Sequence, residues 1–246
     1  MLKKSSFCFT NIDPKNLVKL VKIDEGNFGV VYKGIVKLQD GSINKEMIVA
    51  IKEIKAKSIE SQMEMKKEAE LIQGLNHQYI IKFIGICSEE MSPLKIILEF
   101  AELGSLHKYL IAHKNQINIK KLVNYCYQIA LAMEYLASMW IVHRDLAARN
   151  VLLVSEDVCK VTDFGLSRPV NENKYYTLSR EAFLPMRWYP PDIIKDNHKK
   201  FDEKSDVWSF GVTCWEVTSF GDMPYGNRNI LELLYFLENG SRLGKI

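Results

Sequence analysis

The pattern of apolar residues changes once along the sequence, near residue 100, from one typical of strands to one typical of helices. This change limits the folds that the chain can adopt. Before it, short segments rich in β-branched residues recur, among them "GVVYKGIVKL", "MIVAIKEI" and "LKIILEF". One charged segment, "IESQMEMKKEAELIQGL", interrupts them and has a helical composition. This pattern predicts a small sheet accompanied by one helix.

After Gly104 the apolar residues follow a helical spacing. In "KKLVNYCYQIALAMEYL" they recur at offsets of three and four, at Leu122, Cys126, Ile129, Met133 and Leu136, which indicates an amphipathic helix. Further helices are predicted at "EKSDVWSFGVTCWEVTSF" and over residues 229–239. The sequence therefore predicts an α+β fold, with a β-rich first lobe, an α-rich second lobe and a boundary near "EFAELG".

The composition excludes several classes of protein. Of the 246 residues, 47% are hydrophobic and 26% are charged, as in a folded globular chain. The net charge is only +3 and the lysines are scattered, so we expect no nucleic-acid partner. The five cysteines show no CxxC spacing, which argues against a disulfide framework and a zinc site.

No apolar run is long enough to span a membrane, so we expect no transmembrane segment in this chain. The N-terminus also lacks the continuous apolar stretch of a secretory signal. We therefore expect a cytoplasmic location, with recruitment to the inner face of the plasma membrane left open.

The octamer "HRDLAARN" at 143–150 concentrates reactive groups between the long helix and the apolar "VLLV". Asp145, Arg144, Arg149 and Asn150 supply a carboxylate, two guanidinium groups and an amide. Such groups are costly to hold together without a ligand. A solvated loop is the ordinary interpretation of a polar octamer, but this string is specific enough to favour a functional site.

Four other motifs are individually weak. "VAIK" at 49–52 ends an apolar strand with Lys52, and "MKKEAEL" carries Glu68 on a charged helix. "DFG" at 163–165 follows the short strand "VCKVT", and "DEGNFG" at 24–29 forms a glycine turn. Taken singly, they are typical of a strand end, a surface charge and two turns.

In order and spacing, however, these motifs resemble the protein-kinase signature of glycine loop, strand lysine, helix glutamate, catalytic loop and DFG. The resemblance implies the bilobal kinase fold over residues 17–246, after an N-terminal extension at 1–16. The N-lobe is expected at 17–100 and the C-lobe at 101–246. Because the sequence stops just past the helix at 229–239, the last helices of the C-lobe are expected to be missing.

The resemblance implies a cofactor and a nucleotide, Mg²⁺ and ATP. Lys52 is expected to hold the α- and β-phosphates of ATP, and Glu68 to pair with the lysine ammonium group. Asn150 and Asp163 are expected to bind Mg²⁺ through oxygen atoms.

The resemblance also implies which residues act on the acceptor hydroxyl. Asp145 should accept or orient its proton, and Arg149 should place the attacking oxygen and screen the γ-phosphate. Asp206 should brace the backbone of the catalytic loop from the helix below it.

The nucleotide is further expected to contact the glycine loop, a hinge segment and apolar walls. These positions are Gly26, Asn27, Phe28, Gly29, Val31, Ala50, Leu152, Glu99, Phe100 and Ala101, with Leu98 at the back of the pocket. For the apolar members, simple core packing is the alternative interpretation.

The string "DLAARN" favours tyrosine as the acceptor residue. Serine/threonine kinases usually carry a lysine two residues after the catalytic aspartate, as in "DLKPEN", whereas this chain has Ala147 there and a cation at Arg149. "LPMRWYPP" at 184–191 is similar to the tyrosine-kinase platform for the substrate residue. The chain thus resembles cytoplasmic, non-receptor tyrosine kinases of the Janus and spleen tyrosine kinase families.

Tyr175 and Tyr176 fall in the activation segment that this resemblance implies. Phosphorylation there, by an upstream kinase or by a second copy in trans, is expected to order the segment through cations such as Arg144. The expected partners are therefore protein substrates with tyrosine and the activating kinase, in signal transduction. Ordinary exposed aromatics are the alternative interpretation of the tyrosine pair.

Two motifs depart from the family pattern. Asp24 occupies the position of the first glycine of the loop. The segment Pro190-Pro191-Asp192 replaces "APE", whose glutamate normally makes a buried ion pair. These departures and the early stop leave open an alternative, a catalytically weak or inactive pseudokinase-like binding module or a kinase fragment.

Overall fold

The computed structural model describes residues 10–26, 29–40, 43–53, 59–88, 93–170, 176–177, 184–196 and 200–244. The chain divides into two compact units, Met1–Asn76 with Ile81–Ala101, and His77–Ile80 with Glu102–Ile246. His77–Ile80 groups with the second unit because the carbonyl oxygen of Tyr79 accepts a hydrogen bond from the Val161 N–H, at 2.8 Å.

The first unit is a five-stranded antiparallel sheet with one helix. Its elements are β1 (Leu17–Gly26), β2 (Gly29–Asp40), β3 (Ile43–Glu53), α1 (Ile59–Gln73), β4 (Phe83–Cys87) and β5 (Lys95–Glu99). The strand order is β1-β2-β3-β5-β4. The predicted strands and helix are confirmed, and β4 is an addition that the sequence pattern did not reveal.

One face of this sheet forms the core of the first unit. This core is a cluster of buried residues that comprises Ile12, Val36, Val49, Ile51, Cys87 and Ile97. Gly34 lies where β1 and β3 approach β2 closely. A Cβ at this position would lie 2.7 Å from the carbonyl oxygen of Val18 and 2.4 Å from Cδ1 of Ile51, so a larger residue would push the strands apart.

Helix α1 presents one buried side. Met65, Glu68, Ala69 and Ile72 lie three and four residues apart and are all buried. The helix packs on β4. A glutamate therefore shares the buried side of an otherwise charged helix, and such a carboxylate needs a partner.

The second unit is mainly helical. Its longer elements are α2 (Leu106–Ala112), α3 (Ile119–Ser138), β7 (Val151–Ser155), β8 (Val158–Val161), α4 (Pro191–Lys195), α5 (Glu203–Thr218) and α6 (Ile230–Glu238). Two-residue strands complete it: β6 (Ile141–Val142), β9 (Arg168–Pro169), β10 (Tyr176–Thr177) and β11 (Lys200–Phe201). Short two-stranded pairs join β6 to β9, β7 to β8 and β10 to β11.

Helix α3 begins after Asn118, whose side-chain oxygen accepts a hydrogen bond from the Lys121 N–H at 3.0 Å. Its fully buried side is Leu122, Tyr125, Ile129, Ala132 and Leu136. The predicted amphipathic helix is confirmed. Of the five residues that indicated it, Leu122, Ile129 and Leu136 are fully buried, whereas Cys126 and Met133 are partly buried.

Helix α5 is unusual in burying polar side chains. It begins after Asp202, which accepts a hydrogen bond from the Ser205 N–H at 3.0 Å. Asp206, Ser209, Thr213 and Glu216 are all buried along it. Buried polar side chains require hydrogen-bond partners. We therefore expect α5 to hold neighbouring backbone segments by hydrogen bonds as well as by apolar packing.

The predicted α+β fold is confirmed, with a β-rich first unit and a helical second unit. Across the part of the chain that the structure describes, no helix is both long and apolar enough to cross a membrane.

Candidate active site

A buried ion pair lies in the described part of the first unit. Lys52, near the end of β3, points its Nζ at Oε1 of Glu68 on α1, at 2.6 Å. Lys52 is 9% exposed and Glu68 is 6% exposed. The predicted partnership of the strand lysine and the helix glutamate is therefore present, and it compensates the cost of burying either charge alone.

Lys52 shares its face of the sheet with the apolar residues predicted to contact adenine. The register pairs Val31 with Lys52 and Ala50 with Leu98, and paired residues project to the same side. Because side chains alternate along a strand, Ala50 and Lys52 also share one side. The structure thus brings Val31, Ala50, Leu98 and Lys52 together on the face opposite the core.

Asp24 lies beside this group. The register of β1 and β2 pairs Asp24 with Val31, so the carboxylate projects to the face that carries Val31. Asp24 is exposed, and its Oδ1 accepts a hydrogen bond from the Glu25 N–H at 2.9 Å. Gly26 and Gly29 end β1 and begin β2, whereas Asn27 and Phe28 lie outside the described residues.

The expected hinge begins where β5 ends. The N–H of Glu99 donates to the carbonyl oxygen of Lys82 at 2.9 Å, and Oε1 of Glu99 accepts from the Lys82 N–H at 2.6 Å. Nζ of Lys33 lies 4.4 Å from the ring centroid of Phe100. Ala101 is buried. The segment is therefore fixed by contacts within the first unit.

In the second unit, Asp206 braces the loop that contains "HRDLAARN". Its carboxylate accepts hydrogen bonds from the His143 N–H at 2.6 Å and from the Arg144 N–H at 3.0 Å. Arg144 has a φ of 69°, in the left-handed region that is unfavourable for side chains with a Cβ. The two hydrogen bonds stabilise this turn, and the predicted bracing role of Asp206 is confirmed.

His143 connects this loop to the segment before the DFG motif. Its Nδ1 accepts a hydrogen bond from the Asp145 N–H at 3.2 Å, and its Nε2 lies 3.1 Å from the carbonyl oxygen of Thr162. The second contact requires Nε2 to carry the proton. Burial lowers the pKa of His143 to about 4, so the ring is neutral at physiological pH and serves as a fixed link.

The carboxylate of Asp145 is buried beside two opposing charges. Burial raises its pKa to about 6, while the Arg149 guanidinium lowers this pKa and the Asp163 carboxylate raises it. At physiological pH the group is therefore mostly ionised but can accept a proton readily. These are the properties that a general base requires.

Arg149 lies between Asp145 and an aromatic ring. Its Nη2 donates to Oδ1 of Asp145, and its guanidinium carbon lies 4.5 Å from the ring centroid of Trp188. The cation is thus held in place by an ion pair on one side and an aromatic ring on the other.

Asn150 and Asp163 carry the oxygen atoms that suit Mg²⁺. The Nδ2 of Asn150 donates a hydrogen bond to the carbonyl oxygen of Asp145 at 2.7 Å. This bond fixes the orientation of the amide group and leaves its oxygen atom to accept other contacts. Asp163 has a φ of 65°, and His143 holds the preceding residue, Thr162. One carboxylate and one amide oxygen fit a hard cation. Leu152, predicted to contact the nucleotide, lies on β7 of this same unit.

Sequence reasoning missed Glu216. Its Oε2 accepts hydrogen bonds from the Ala148 N–H at 3.0 Å and from Nε1 of Trp188 at 2.7 Å. It therefore ties the catalytic loop to the "LPMRWYPP" segment. The available signal was a glutamate within the apolar "VTCWEV" of a buried helix, where an unpaired charge is costly.

Tyr189 gives the catalytic loop a second link to the "LPMRWYPP" segment, since its hydroxyl donates a hydrogen bond to the carbonyl oxygen of Arg144 at 2.6 Å.

The structure describes only one of the two expected phosphorylation sites. Tyr175 lies outside the described residues, and the backbone of Tyr176 pairs with Phe201. Asp192, which replaces the glutamate of "APE", is exposed in the first turn of α4.

These arrangements agree with a comparison of the whole sequence. Residues 17–246 match the family of protein tyrosine and serine/threonine kinases, so the chain belongs to this family and the predicted kinase fold is confirmed.

Among curated proteins, the chain is similar to tyrosine-protein kinases. It is 39% identical to tyrosine-protein kinase ZAP-70 of Mus musculus over 229 residues, which are 92% of this chain and 36% of that protein. It is 40% identical to tyrosine-protein kinase SYK of Gallus gallus over 245 residues, covering 94% of this chain and 38% of that protein. The resemblance to the spleen tyrosine kinase family is thus confirmed, and the chain spans just over a third of the length of these relatives.

Proposed function

We propose that this chain is the catalytic part of an ATP-dependent protein-tyrosine kinase, a transferase that moves the γ-phosphoryl group of ATP to tyrosine hydroxyls. The observation that carries the proposal is Arg149, which contacts both the Asp145 carboxylate and the Trp188 ring. A phenol holds its oxygen farther from the peptide backbone than serine does. A cation four residues after the aspartate, held against an aromatic platform, suits that longer acceptor.

In this proposal Asp145 orients the phenol and accepts its proton as the phosphoryl group is transferred. Its pKa of about 6 leaves it ionised at physiological pH. Arg149 screens the charge of the incoming phosphate. Because phosphoryl transfer requires mainly positioning and electrostatic stabilisation, the hydrogen bonds that fix this loop contribute directly to the rate.

Lys52, held by Glu68, binds the α- and β-phosphates. The oxygen atoms of Asn150 and Asp163 hold Mg²⁺, which, when bound, neutralises charge on the phosphates. The adenine contacts Val31, Ala50, Leu98 and Leu152, together with backbone groups at Glu99 and Ala101. The glycine-loop residues 26–29 are assigned to binding of the nucleotide.

Control by phosphorylation of Tyr175 and Tyr176 is part of the proposal, through an upstream kinase or a second copy in trans. So are a cytoplasmic location, recruitment to the inner face of the plasma membrane and a role in signal transduction. These features belong to the whole protein, and the curated tyrosine kinases that the chain matches are much longer than the matched region.

One observation favours a second candidate, a pseudokinase-like module that binds partners without efficient transfer. Asp24 brings a carboxylate to the sheet face that carries Val31, where a nucleotide would meet like charge. We expect Asp24 to weaken ATP binding without abolishing phosphoryl transfer. The residues assigned to transfer are all retained, namely Lys52, Glu68, Asp145, Asn150 and Asp163.

The test compares three peptides that differ only in the acceptor: tyrosine, serine or phenylalanine. The protein is incubated with each peptide and Mg-ATP, and phosphate incorporation is measured by mass spectrometry. We expect transfer to the tyrosine peptide alone. Equal transfer to serine would overturn the tyrosine assignment. Nucleotide-dependent thermal stabilisation without transfer by well-folded protein would favour the pseudokinase-like module.

A further inference from the structure

Helices α3 and α5 of the second unit enclose a cavity of ≈ 500 Å³. Pockets that bind small molecules usually measure about 300–1,000 Å³, so this cavity is large enough for a ligand. None of its lining residues is assigned above to ATP, Mg²⁺ or the tyrosine acceptor. The cavity is therefore a site distinct from the one that binds the substrates.

The walls of the cavity are mainly apolar. Ala130, Met133 and Ala137 line it from α3, and Val207 and Phe210 line it from α5. On each helix these residues lie three or four positions from the next, so they share one face of the helix. Val207 is 62% exposed. An apolar group that covers this wall removes apolar surface from water, which stabilises the bound state.

The charged groups of the cavity are acidic. Glu134, Glu203 and Asp206 line it, and no lysine, arginine or histidine is among the described residues that line it. Glu134 and Glu203 are exposed, and neither forms an ion pair within the described part of the chain. Charge complementarity therefore favours a ligand with an apolar body and one positive charge.

Asp206 connects this cavity to the catalytic loop. Its carboxylate accepts hydrogen bonds from the N–H groups of His143 and Arg144. Burial raises the pKa of Asp206 to about 7, whereas the two hydrogen bonds and the Arg144 guanidinium lower it and the Asp202 carboxylate raises it. A cation in the cavity favours the ionised form of Asp206. The ionised carboxylate accepts both hydrogen bonds more strongly, so a bound cation stabilises the turn at Arg144.

We propose that the cavity between α3 and α5 binds a small organic cation, a primary ammonium group on an apolar body, and that the bound cation stabilises the catalytic loop through Asp206. The apolar body contacts Met133, Ala137 and Phe210. The ammonium group is paired with the carboxylates of Glu134 and Glu203. Binding at this site does not depend on phosphoryl transfer, so failure of either proposal leaves the other standing.

The test titrates the full chain with phenylbutylamine, phenylbutanol and phenylbutyrate, which share one apolar body and differ in charge. Dissociation constants are measured from the NMR signals of the probes. We expect the amine to bind at least about fivefold more tightly than the alcohol, because one solvated ion pair contributes roughly this factor. The negatively charged phenylbutyrate should bind more weakly than the alcohol.

Variants of the lining residues separate the charge from the apolar wall. Glu134→Gln and Glu203→Gln should each weaken binding of the amine and leave binding of the alcohol unchanged. Asp222→Asn removes an exposed carboxylate that does not line the cavity, and this control should bind all three probes as the wild type does. Ala137→Phe fills part of the cavity and should weaken binding of the amine and the alcohol alike.

Hydrogen exchange tests the link to the catalytic loop. With phenylbutylamine bound, the amide protons of His143 and Arg144 should exchange more slowly, because both are donated to Asp206. The alcohol should give less protection. The Leu153 N–H donates to the carbonyl oxygen of Gly104 at 2.8 Å, away from Asp206, and its exchange rate should not change.

Equal dissociation constants for the amine and the alcohol, or an amine affinity that both glutamine variants leave unchanged, would overturn the proposal. A dimer that sedimentation detects and that Ala137→Phe dissociates would also overturn it, because a second copy would then occupy the cavity. Unchanged exchange at His143 and Arg144 would overturn the link through Asp206. The comparison of the three probes on the unmodified protein decides the matter even if a variant fails to fold.

Discussion

Glu216 and Trp188 are joined by a buried hydrogen bond of 2.7 Å, from the indole Nε1 to the carboxylate Oε2. The same oxygen accepts the backbone N–H of Ala148, within the catalytic loop, at 3.0 Å. One acceptor atom thus fixes two segments that are distant in sequence. Trp188 in turn supports the guanidinium of Arg149, so Glu216 contributes to the position of the cation that we assign to tyrosine recognition.

Replacing Glu216 with alanine should reduce both stability and activity. Two buried donors lose their acceptor, at a cost of about 1–3 kcal/mol each in the free energy of unfolding. We expect kcat to fall more than the KM for ATP rises, because the substitution perturbs the loop around Asp145. Urea unfolding and steady-state kinetics measure the two effects.

Glu216→Gln provides a matched control for this substitution. Both hydrogen bonds end on a single oxygen, which a glutamine side chain can supply. Burial already raises the pKa of Glu216, so a neutral replacement is tolerated. Equal losses of stability in the alanine and glutamine variants would contradict the role of this acceptor.

The Lys52–Glu68 pair should be essential for the use of ATP. Glu68→Gln leaves a buried ammonium group without its counter-charge, and breaking such a pair costs about 3–5 kcal/mol. We therefore expect kcat/KM for ATP to fall by at least about tenfold, which corresponds to roughly 1.4 kcal/mol of transition-state stabilisation. Glu64→Gln, at an exposed position one turn earlier on α1, is the control and should behave as wild type.

The activity should depend on the ionisation of Asp145. Its pKa is raised to about 6, and only the carboxylate form can accept the phenol proton. Below pH 6 each further unit should lower kcat/KM about tenfold, whereas activity should reach a plateau above pH 7. His143 remains neutral over this range because its pKa is about 4. A midpoint near the ordinary value for an aspartate would argue against Asp145 as the buried base.

Asp24→Gly should improve ATP binding. The carboxylate lies on the sheet face that carries Val31, and its repulsion of the phosphates is on the order of 1 kcal/mol in a solvated site. We expect the KM for ATP to fall about fivefold with little change in kcat. Glu46→Gly removes an exposed carboxylate from β3 and should have no such effect. An unchanged or higher KM in Asp24→Gly would remove Asp24 from the explanation.

The elements that the sequence predicted well are those with a strong periodic signal. Strands β2, β3 and β5 and helices α1, α3 and α5 fall on the expected segments. Strand β4 is only five residues long, which is too short for a clear periodic signal, and it is its pairing with β5 that defines it as a strand. On α3, the spacing identified the helix, but the complete burial of Tyr125 and Ala132 depends on how the helix packs in the fold.

The candidate site shows a similar division. The motifs identified Lys52, Glu68 and the catalytic loop, because each motif is a short local string. Glu216 acts on Ala148, 68 residues away in sequence, and on Trp188. Such relationships depend on tertiary packing, so a single sequence without the fold does not reveal them.

The most direct test of the central claim is the rate of phosphoryl transfer to a tyrosine peptide, measured for the wild type and for Asp145→Asn with saturating Mg-ATP. We expect measurable transfer by the wild type and a loss of at least about a hundredfold in the variant, the lower bound for general base catalysis. Asp157→Asn, at an exposed turn, should retain full activity. Equal rates in the wild type and Asp145→Asn, or no transfer by either folded protein, would show that Asp145 is not the catalytic base of a tyrosine kinase.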